Sequence, residues 1–275
     1  MLTICIILIV LLVLDLLFTL ALRCRKGHRK WEVLKKYRYA HRGYHDKPVV
    51  PENSLPAFRR AIERGFGAEL DVHLLKDGTL AVFHDSDLKR CANVEGEIED
   101  LTLDELKQLR LEGTDEQIPT FDEVLALFEH ETPLIIELKT ARGNHMALAK
   151  AVCERLDSYQ GEFCIESFDP FALIDVKKLR PEICRGQLSM NFCKDPSGLP
   201  FYKRVIAGNM LLNFLTRPDF IAYKFEDRKG LSSALCRTLW GIQEVSWTIR
   251  QKEDLLNAEQ AGSIGIFECF DPDEP

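Results

Sequence analysis

From Arg38 onward, short β-rich runs alternate with amphipathic stretches of helical period, and no other feature constrains the fold as tightly. The candidate strands are 39–41, 68–73, 80–84, 134–139, 163–167, 186–189, 220–224, 244–249 and 264–267. Helical stretches at 54–64, 103–111, 121–129, 145–156, 171–179 and 252–260 fall between them. Strands that alternate with helices form a parallel sheet, because each parallel pair needs a long crossover. About eight such units in one domain favour an α/β TIM (β/α)8 barrel over an open sheet. Such a barrel takes roughly 250 residues, nearly all of this 275-residue chain. The run 80–84 follows Asp77-Gly78, a hairpin signal, and reads as a hairpin extension outside the barrel. Asn53 or Ser54 can cap the helix that begins near Pro56, and Thr102 and Thr120 stand before two further helix starts.

Ahead of the barrel, residues 2–22 are an almost unbroken apolar run, about the ~20 residues one bilayer crossing needs. Asp15 interrupts it, at a cost of roughly 2.5–3.5 kcal/mol at a helix centre. Each Leu, Ile, Val or Phe returns about 0.3–0.6 kcal/mol, and together they outweigh the one charge. No Lys or Arg precedes Arg23, whereas a cleaved signal peptide opens on a basic region. Arg23, Arg25, Lys26, Arg29 and Lys30 follow at once. The expectation is an uncleaved single-pass transmembrane anchor over 1–22, a basic juxtamembrane linker over 23–37 that could rest on anionic lipid, and one domain over 38–275. The same basic cluster predicts a cytoplasmic domain. The nine scattered cysteines, without C-x-x-C spacing or a zinc cluster, fit free thiols in a reducing compartment. A net charge of −7 argues against a nucleic-acid partner. The apolar, aromatic and basic segment 199–220 is either a lipid-touching flap near the mouth or a helix packed on the barrel wall, and the wall is favoured.

The chemistry gathers at strand ends. In Glu69-Leu70-Asp71-Val72-His73 alternate side chains share a face, so two carboxylates and an imidazole point one way. Crowded carboxylates repel unless a cation or proton lies between them, and oxygen-rich clusters suit Mg²⁺ or Ca²⁺. The polar face of an edge strand would give the same pattern. Glu137 and Lys139 share a face at the end of the next long apolar run, where barrel enzymes keep their active sites. Glu137 can complete a three-carboxylate site, and Lys139 can neutralise a phosphate oxygen; a strand-capping ion pair is the plainer reading. His41-Arg42-Gly43 closes the first strand and offers a proton-transfer group, a bidentate phosphate ligand and close backbone approach. His84 ends another short strand, and Glu52 lies just after the first.

The ordered motifs AHRG, PENSLPAF, GAELDVHLLKDGTLAVFHD and PLIIELK together resemble the glycerophosphodiester phosphodiesterase family, in its membrane-anchored bacterial form. The resemblance runs from about Tyr39 to the end and implies a TIM barrel that hydrolyses glycerophosphodiesters to sn-glycerol 3-phosphate and an alcohol. It implies His41 and His84 as the catalytic histidines, and Glu69, Asp71 and Glu137 as ligands of a divalent metal, Mg²⁺ or Ca²⁺. It implies Arg42 and Lys139 on the phosphate, Glu52 at the acidic position of the PEN motif, and Trp247 near the substrate glycerol. The pattern departs at the tail, where Arg250 replaces an Asn and SIGIFECFDPDEP replaces a Gly-rich strand. With one histidine as base and the other as acid, His41 is assigned the base and His84 the acid. The attacking group is the glycerol 2-hydroxyl or water. The alternatives are a lysophospholipase D acting on membrane lysophospholipids, a cyclising phospholipase D, and a catalytically silent membrane-bound binding module.

Overall fold

In the computed structural model, which describes residues 1–194 and 198–274, β-branched and aromatic runs form nine strands. They are β1 Tyr39–Ala40, β2 Gly67–Leu74, β3 Leu80–Val82, β4 Leu134–Leu138, β5 Phe163–Ser167, β6 Arg185–Ser189, β7 Phe220–Lys224, β8 Gln243–Ile249 and β9 Ile264–Phe267. Their order is β1-β9-β8-β7-β6-β5-β4-β2-β3, and β1 also pairs with β2. Eight parallel strands therefore close into a TIM barrel. β3 stands outside the ring, antiparallel to β2 with Val82 opposite Val72, as the Asp-Gly turn predicts. The expected domain limit at residue 275 lies outside the described residues.

Period-two alternation divides each strand between two environments. Ala68, Leu70 and Val72 of β2, with Leu134, Ile136 and Leu138 of β4, face outward and pack on the helices through Phe58, Phe121 and Phe128. The inward residues change along the barrel axis. Tyr39, Ile135, Cys164 and Phe220 form an apolar layer near the N-terminal ends of the strands. One step further along, Asp71 lies in register with Glu137, and Glu137 with Glu166. The barrel is apolar at its base and acidic at its mouth.

Helix starts follow the caps. Ser54, not Asn53, accepts the Ala57 N–H at 3.3 Å to open the helix Leu55–Glu63. Asn53 is drawn away to Asp71. Thr120 and Glu123 form a reciprocal capping box ahead of Phe121–Phe128. Thr102 and Glu105 form another, but that helix is Leu103–Leu106 and stops short of residue 111. The reason lies in burial: Leu106 and Leu111 both enter a small core with Leu88, Ile98 and Ile118, and five-residue spacing does not keep one helical face. A helix Leu231–Leu239 that the apolar pattern does not single out carries buried Ser232 and Ser233 on its inner side. Segment 199–220 forms the helices Phe201–Gly208 and Asn213–Thr216, and Met210 between them is buried on the wall.

Residues 23–37 are not a free linker. Leu22, Cys24, Trp31 and Leu34 are buried, so this stretch belongs to the barrel. Trp31 stacks on Phe220 with ring centroids 5.6 Å apart, and the Tyr39 hydroxyl donates to the Leu34 carbonyl at 3.0 Å. Arg25 Nη2 donates to Asp219 at 2.7 Å and Lys30 to Glu162 at 2.6 Å. Arg25 and Lys30 are thus paired within the protein, while Arg23, Lys26 and Arg29 stay exposed. Before this plug, the helix Leu2–Ala21 has a mean hydropathy of 3.1 in its most apolar window and lies uncovered by the rest of the chain. Its end is gripped: Leu22 packs with Met210, Ile221, Tyr223 and Cys236, and the Trp240 indole donates to the Thr19 carbonyl at 3.1 Å.

Candidate active site

The mouth cavity, about 200 Å³, is lined by His41, Arg42, Glu69, His84, Glu137 and Trp247, joined by Glu166, Phe168, Lys224 and Arg250. Lys139 faces an adjoining cleft with His84 and Glu137. Glu69, Asp71 and Glu137 each offer an oxygen within 4.8 Å of the others'. Sequence positions spread from 41 to 247 thus converge on one mouth.

Arg42 reaches it through an unusual backbone. Its φ is +54° and that of Gly43 is +80°, both in the left-handed region. A Cβ on Gly43 would stand 2.9 Å from Ala57 Cβ, so only glycine lets the turn lie against the helix Leu55–Glu63. The turn aims the Arg42 N–H at Glu69 Oε2, 3.1 Å away, and its guanidinium at Glu52, 2.7 Å away. Glu52 does not line the cavity. Its oxygens are taken by Arg42, Lys47 and Arg90, so it stands behind Arg42 as a strut.

Each histidine is held by a carboxylate at Nδ1. His41 meets Glu268 and His84 meets Asp85, both at 2.5 Å. A carboxylate there fixes the proton on Nδ1 and leaves Nε2 free toward the cavity. His41 Nε2 lies 3.9 Å from Glu69. Burial lowers His41 below the ordinary histidine value, against the pull of Glu268. Burial likewise lowers His84, against Asp71 and Asp85. At both imidazoles burial works against the charged form and the carboxylate at Nδ1 works for it.

The acids are pushed apart. Burial, with Asp71, Glu137 and Glu166 nearby, drives Glu69 well above the carboxylate range. Burial raises Glu137 to about 7 despite Lys139. Asp71 is held low although burial opposes it, because Lys139, His84 and Arg42 surround it and Asn53 donates to it at 2.9 Å. Lys139 Nζ sits 3.1 Å from Glu137 and 3.5 Å from Asp71. Glu166 Oε2 is buried with no hydrogen-bond partner among the described residues, and Asp71 Oδ1 has only Lys139, 3.5 Å away. An unpartnered buried carboxylate oxygen is costly, and a hard cation among these oxygens removes that cost. The donor set fits a divalent metal of the Mg²⁺ or Ca²⁺ kind.

Glu268 and Glu166 are among the site residues that the sequence patterns miss. Glu268 holds His41 and is itself bound by Arg250 at 2.6 Å, with His45 3.8 Å away. It reaches His41 because barrel closure sets β9 beside β1, Phe267 opposite Ala40. Glu166 was visible only as one acid in an apolar run, and its place beside Glu137 depends on register.

A barrel whose mouth combines oxygen donors for a cation, two carboxylate-backed histidines and an arginine has the parts of a phosphate-ester hydrolase. The glycerophosphoryl diester phosphodiesterase family model matches residues 41–268. The chain is 32% identical over 248 residues to a glycerophosphodiester phosphodiesterase of Caldanaerobacter subterraneus subsp. tengcongensis, covering 83% of this chain and 91% of that one. It is 36% identical over 245 residues to one of Bacillus altitudinis, covering 84% and 94%. A phosphodiesterase of Oleispira antarctica, solved with the product sn-glycerol 3-phosphate, shares the fold with a TM-score of 0.71 at 24% identity, over 89% of this chain and 95% of that one. This chain belongs to the glycerophosphoryl diester phosphodiesterase family, a family of phosphoric diester hydrolases.

Proposed function

We propose that the protein hydrolyses glycerophosphodiesters to sn-glycerol 3-phosphate and an alcohol, with His41 and His84 as general base and acid. The observation that carries this is the pair of carboxylate-backed histidines opening on one cavity with Arg42 and the acids. Glu69, Asp71 and Glu137 would hold a divalent cation, which when bound polarises a phosphoryl oxygen. Arg42, with Glu52 behind it, holds the diester by its anionic oxygens. His41 Nε2 takes the proton of the attacking hydroxyl, from water or the glycerol 2-position, as its oxygen bonds to phosphorus. The bond from phosphorus to the leaving alcohol breaks, and protonated His84 gives that oxygen its proton; where the glycerol 2-hydroxyl has attacked, water then opens the cyclic phosphate to sn-glycerol 3-phosphate. Asp85, itself bound by Arg90 at 2.5 Å, supports the positive charge on His84.

The cavity volume supports the substrate class. About 200 Å³ is below the ~300–1,000 Å³ of pockets that enclose drug-sized ligands. It suits a glycerophosphoryl group and leaves most of the alcohol outside, so the leaving group is loosely specified. Phe168 and Trp247, edge to face at 5.5 Å, offer the glycerol an apolar wall.

Turnover of glycerophosphocholine tests the proposal. Replacing either histidine by alanine should cost at least about 10² in kcat, in line with a general acid or base, and chelator should abolish activity until Mg²⁺ or Ca²⁺ returns. Near wild-type turnover in both variants would sink the roles given to them. Lysophospholipase D activity is the second reading, favoured by exposed Phe201 and Tyr202 on the helix that follows β6. Turnover of lysophosphatidylcholine but not glycerophosphocholine would select it.

The helix Leu2–Ala21 we take as a retained membrane anchor with the domain on the cytoplasmic side. Support comes from its junction: Thr19, Leu22, Cys24 and Arg25 are bonded or packed into the barrel, so cleavage after the apolar run would strip part of a packed core.

A further inference from the structure

We infer that one flank of the barrel, formed by the helices Phe201–Gly208, Asn213–Thr216 and Leu231–Leu239, lies on an anionic lipid bilayer beside the anchor. The inference rests on the anchor reading and extends it from a tether to a fixed orientation.

Apolar exposure is the first observation. Scattered exposed apolar residues are ordinary, but a contiguous set is not. Phe201 is 74% exposed, Tyr202 60%, Leu231 68% and Leu239 58%; Phe214 and Leu215 are exposed as well. The helices Phe201–Gly208 and Asn213–Thr216 follow each other in the chain, and a hydrogen bond joins the helix Leu231–Leu239 to the first. The Ser232 hydroxyl donates to the Asn209 side chain at 2.6 Å, tying the helix Leu231–Leu239 to the end of the helix Phe201–Gly208.

The same flank grips the anchor. Leu22 and Phe18 pack with Met210, Leu211, Tyr223 and Cys236, and Trp240 bonds Thr19. The uncovered apolar surface of the helix Leu2–Ala21 therefore runs on into the exposed apolar residues of the flank. At the junction a cleft is lined by Leu17, Leu20, Ala21 and Phe214, with Arg23 and Arg217 beside them. An apolar floor with two guanidiniums is the chemistry of a lipid chain below its phosphate.

Charge decides the kind of bilayer. The chain as a whole carries −7, yet residues 201–217, which hold the first two helices of the flank, carry Lys203, Arg204 and Arg217 and no Asp or Glu. Aromatic residues with neighbouring lysine and arginine suit the headgroup level, where each basic residue gains about 1 kcal/mol from anionic lipid.

The flank also spans the barrel end to end. The Ser189 hydroxyl at the end of β6 donates to the Ala207 carbonyl at 2.8 Å, whereas Arg185 at its start reaches the Thr216 carbonyl at 3.4 Å. With both ends of the flank on the bilayer, the barrel lies on its side and its mouth opens along the headgroup plane.

The test uses the full chain in nanodiscs of phosphatidylcholine containing phosphatidylglycerol and brominated acyl chains. Phe201→Trp and Leu231→Trp should each lose most of their added indole emission to bromine. Leu103→Trp, outside the flank, should keep it. Replacing phosphatidylglycerol by phosphatidylcholine should reduce the quenching at 201 and 231. Added indoles at 201 and 231 no more quenched than at 103 would overturn the inference, even with the chain still embedded. Carbonate extraction checks the anchor separately: a chain released from the vesicles would overturn anchor and flank together.

Discussion

Glu166 is a single carboxylate with one oxygen bonded to nothing, at the bottom of a mouth that already holds three other acids. Burial, with Glu137 and Asp71 near it, pushes it well above the carboxylate range, which in the absence of a cation favours the protonated form. A bound divalent ion would reverse that preference, because an ion stabilises the deprotonated form. Glu166→Gln preserves shape and removes the charge. We expect metal affinity by titration calorimetry to fall about 10- to 100-fold, the usual cost of losing a supporting carboxylate. Unchanged affinity would show that Glu166 does not sense the ion. Gly43 gives a second prediction at this scale. Gly43→Ala meets Ala57 at 2.9 Å and must hold φ near +80°. It should lower stability by roughly 2–4 kcal/mol in a urea titration, combining overpacking with left-handed strain.

Among the elements, the short helix Trp31–Leu34 is the clearest case of sequence misdirection. Its neighbourhood is basic, and a basic stretch after an apolar run reads as a linker. The two buried side chains that make it a plug, Trp31 and Leu34, are three residues apart in a segment otherwise rich in Lys and Arg. The partner surface, Phe220, lies far along the chain, and no local pattern could point to it. Trp31→Ala should cost about 3–5 kcal/mol, as for other large buried aromatics, measured by denaturant midpoint at unchanged m. A loss below about 1 kcal/mol, the scale of an exposed site, would restore the linker. The strands were more legible. Glu69, Asp71 and Glu137 stand at alternating positions in apolar runs, so period two alone turns them to one face. Glu268 was not legible, because nothing in residues 264–269 foretells that β9 will pair with β1. Glu52 was visible as an acid but not as a strut, since its partners Arg42 and Lys47 in its own loop and the distant Arg90 meet on it only in the folded chain.

For the whole molecule, the buried ion cluster around Glu52 sets the acid limit. Burial opposes ionisation there, but Arg90, Arg42 and Lys47 hold Glu52 far below the ordinary carboxylate range. Its unfolded value is about 4.3, so as pH falls the unfolded chain takes up the proton first. The contribution to stability is complete above about 4.3 and is lost progressively as pH falls below that value toward the folded one. Glu52→Gln should therefore be less stable than wild type at neutral pH, and the gap should narrow as the solution is acidified from pH 5. A gap that stayed constant with pH would remove Glu52 from the acid limb.

Barrel closure has a consequence in time. The histidine at 41 is made early by the ribosome, whereas the carboxylate that orients it, Glu268, follows the last strand, β9. A nascent polypeptide can thus carry Glu69, Asp71, Glu137 and both imidazoles while His41 still lacks its partner at Nδ1. That partner arrives only when the last strand slots between the first and the eighth. A chain interrupted before β9 would be left with an open barrel and an unoriented His41.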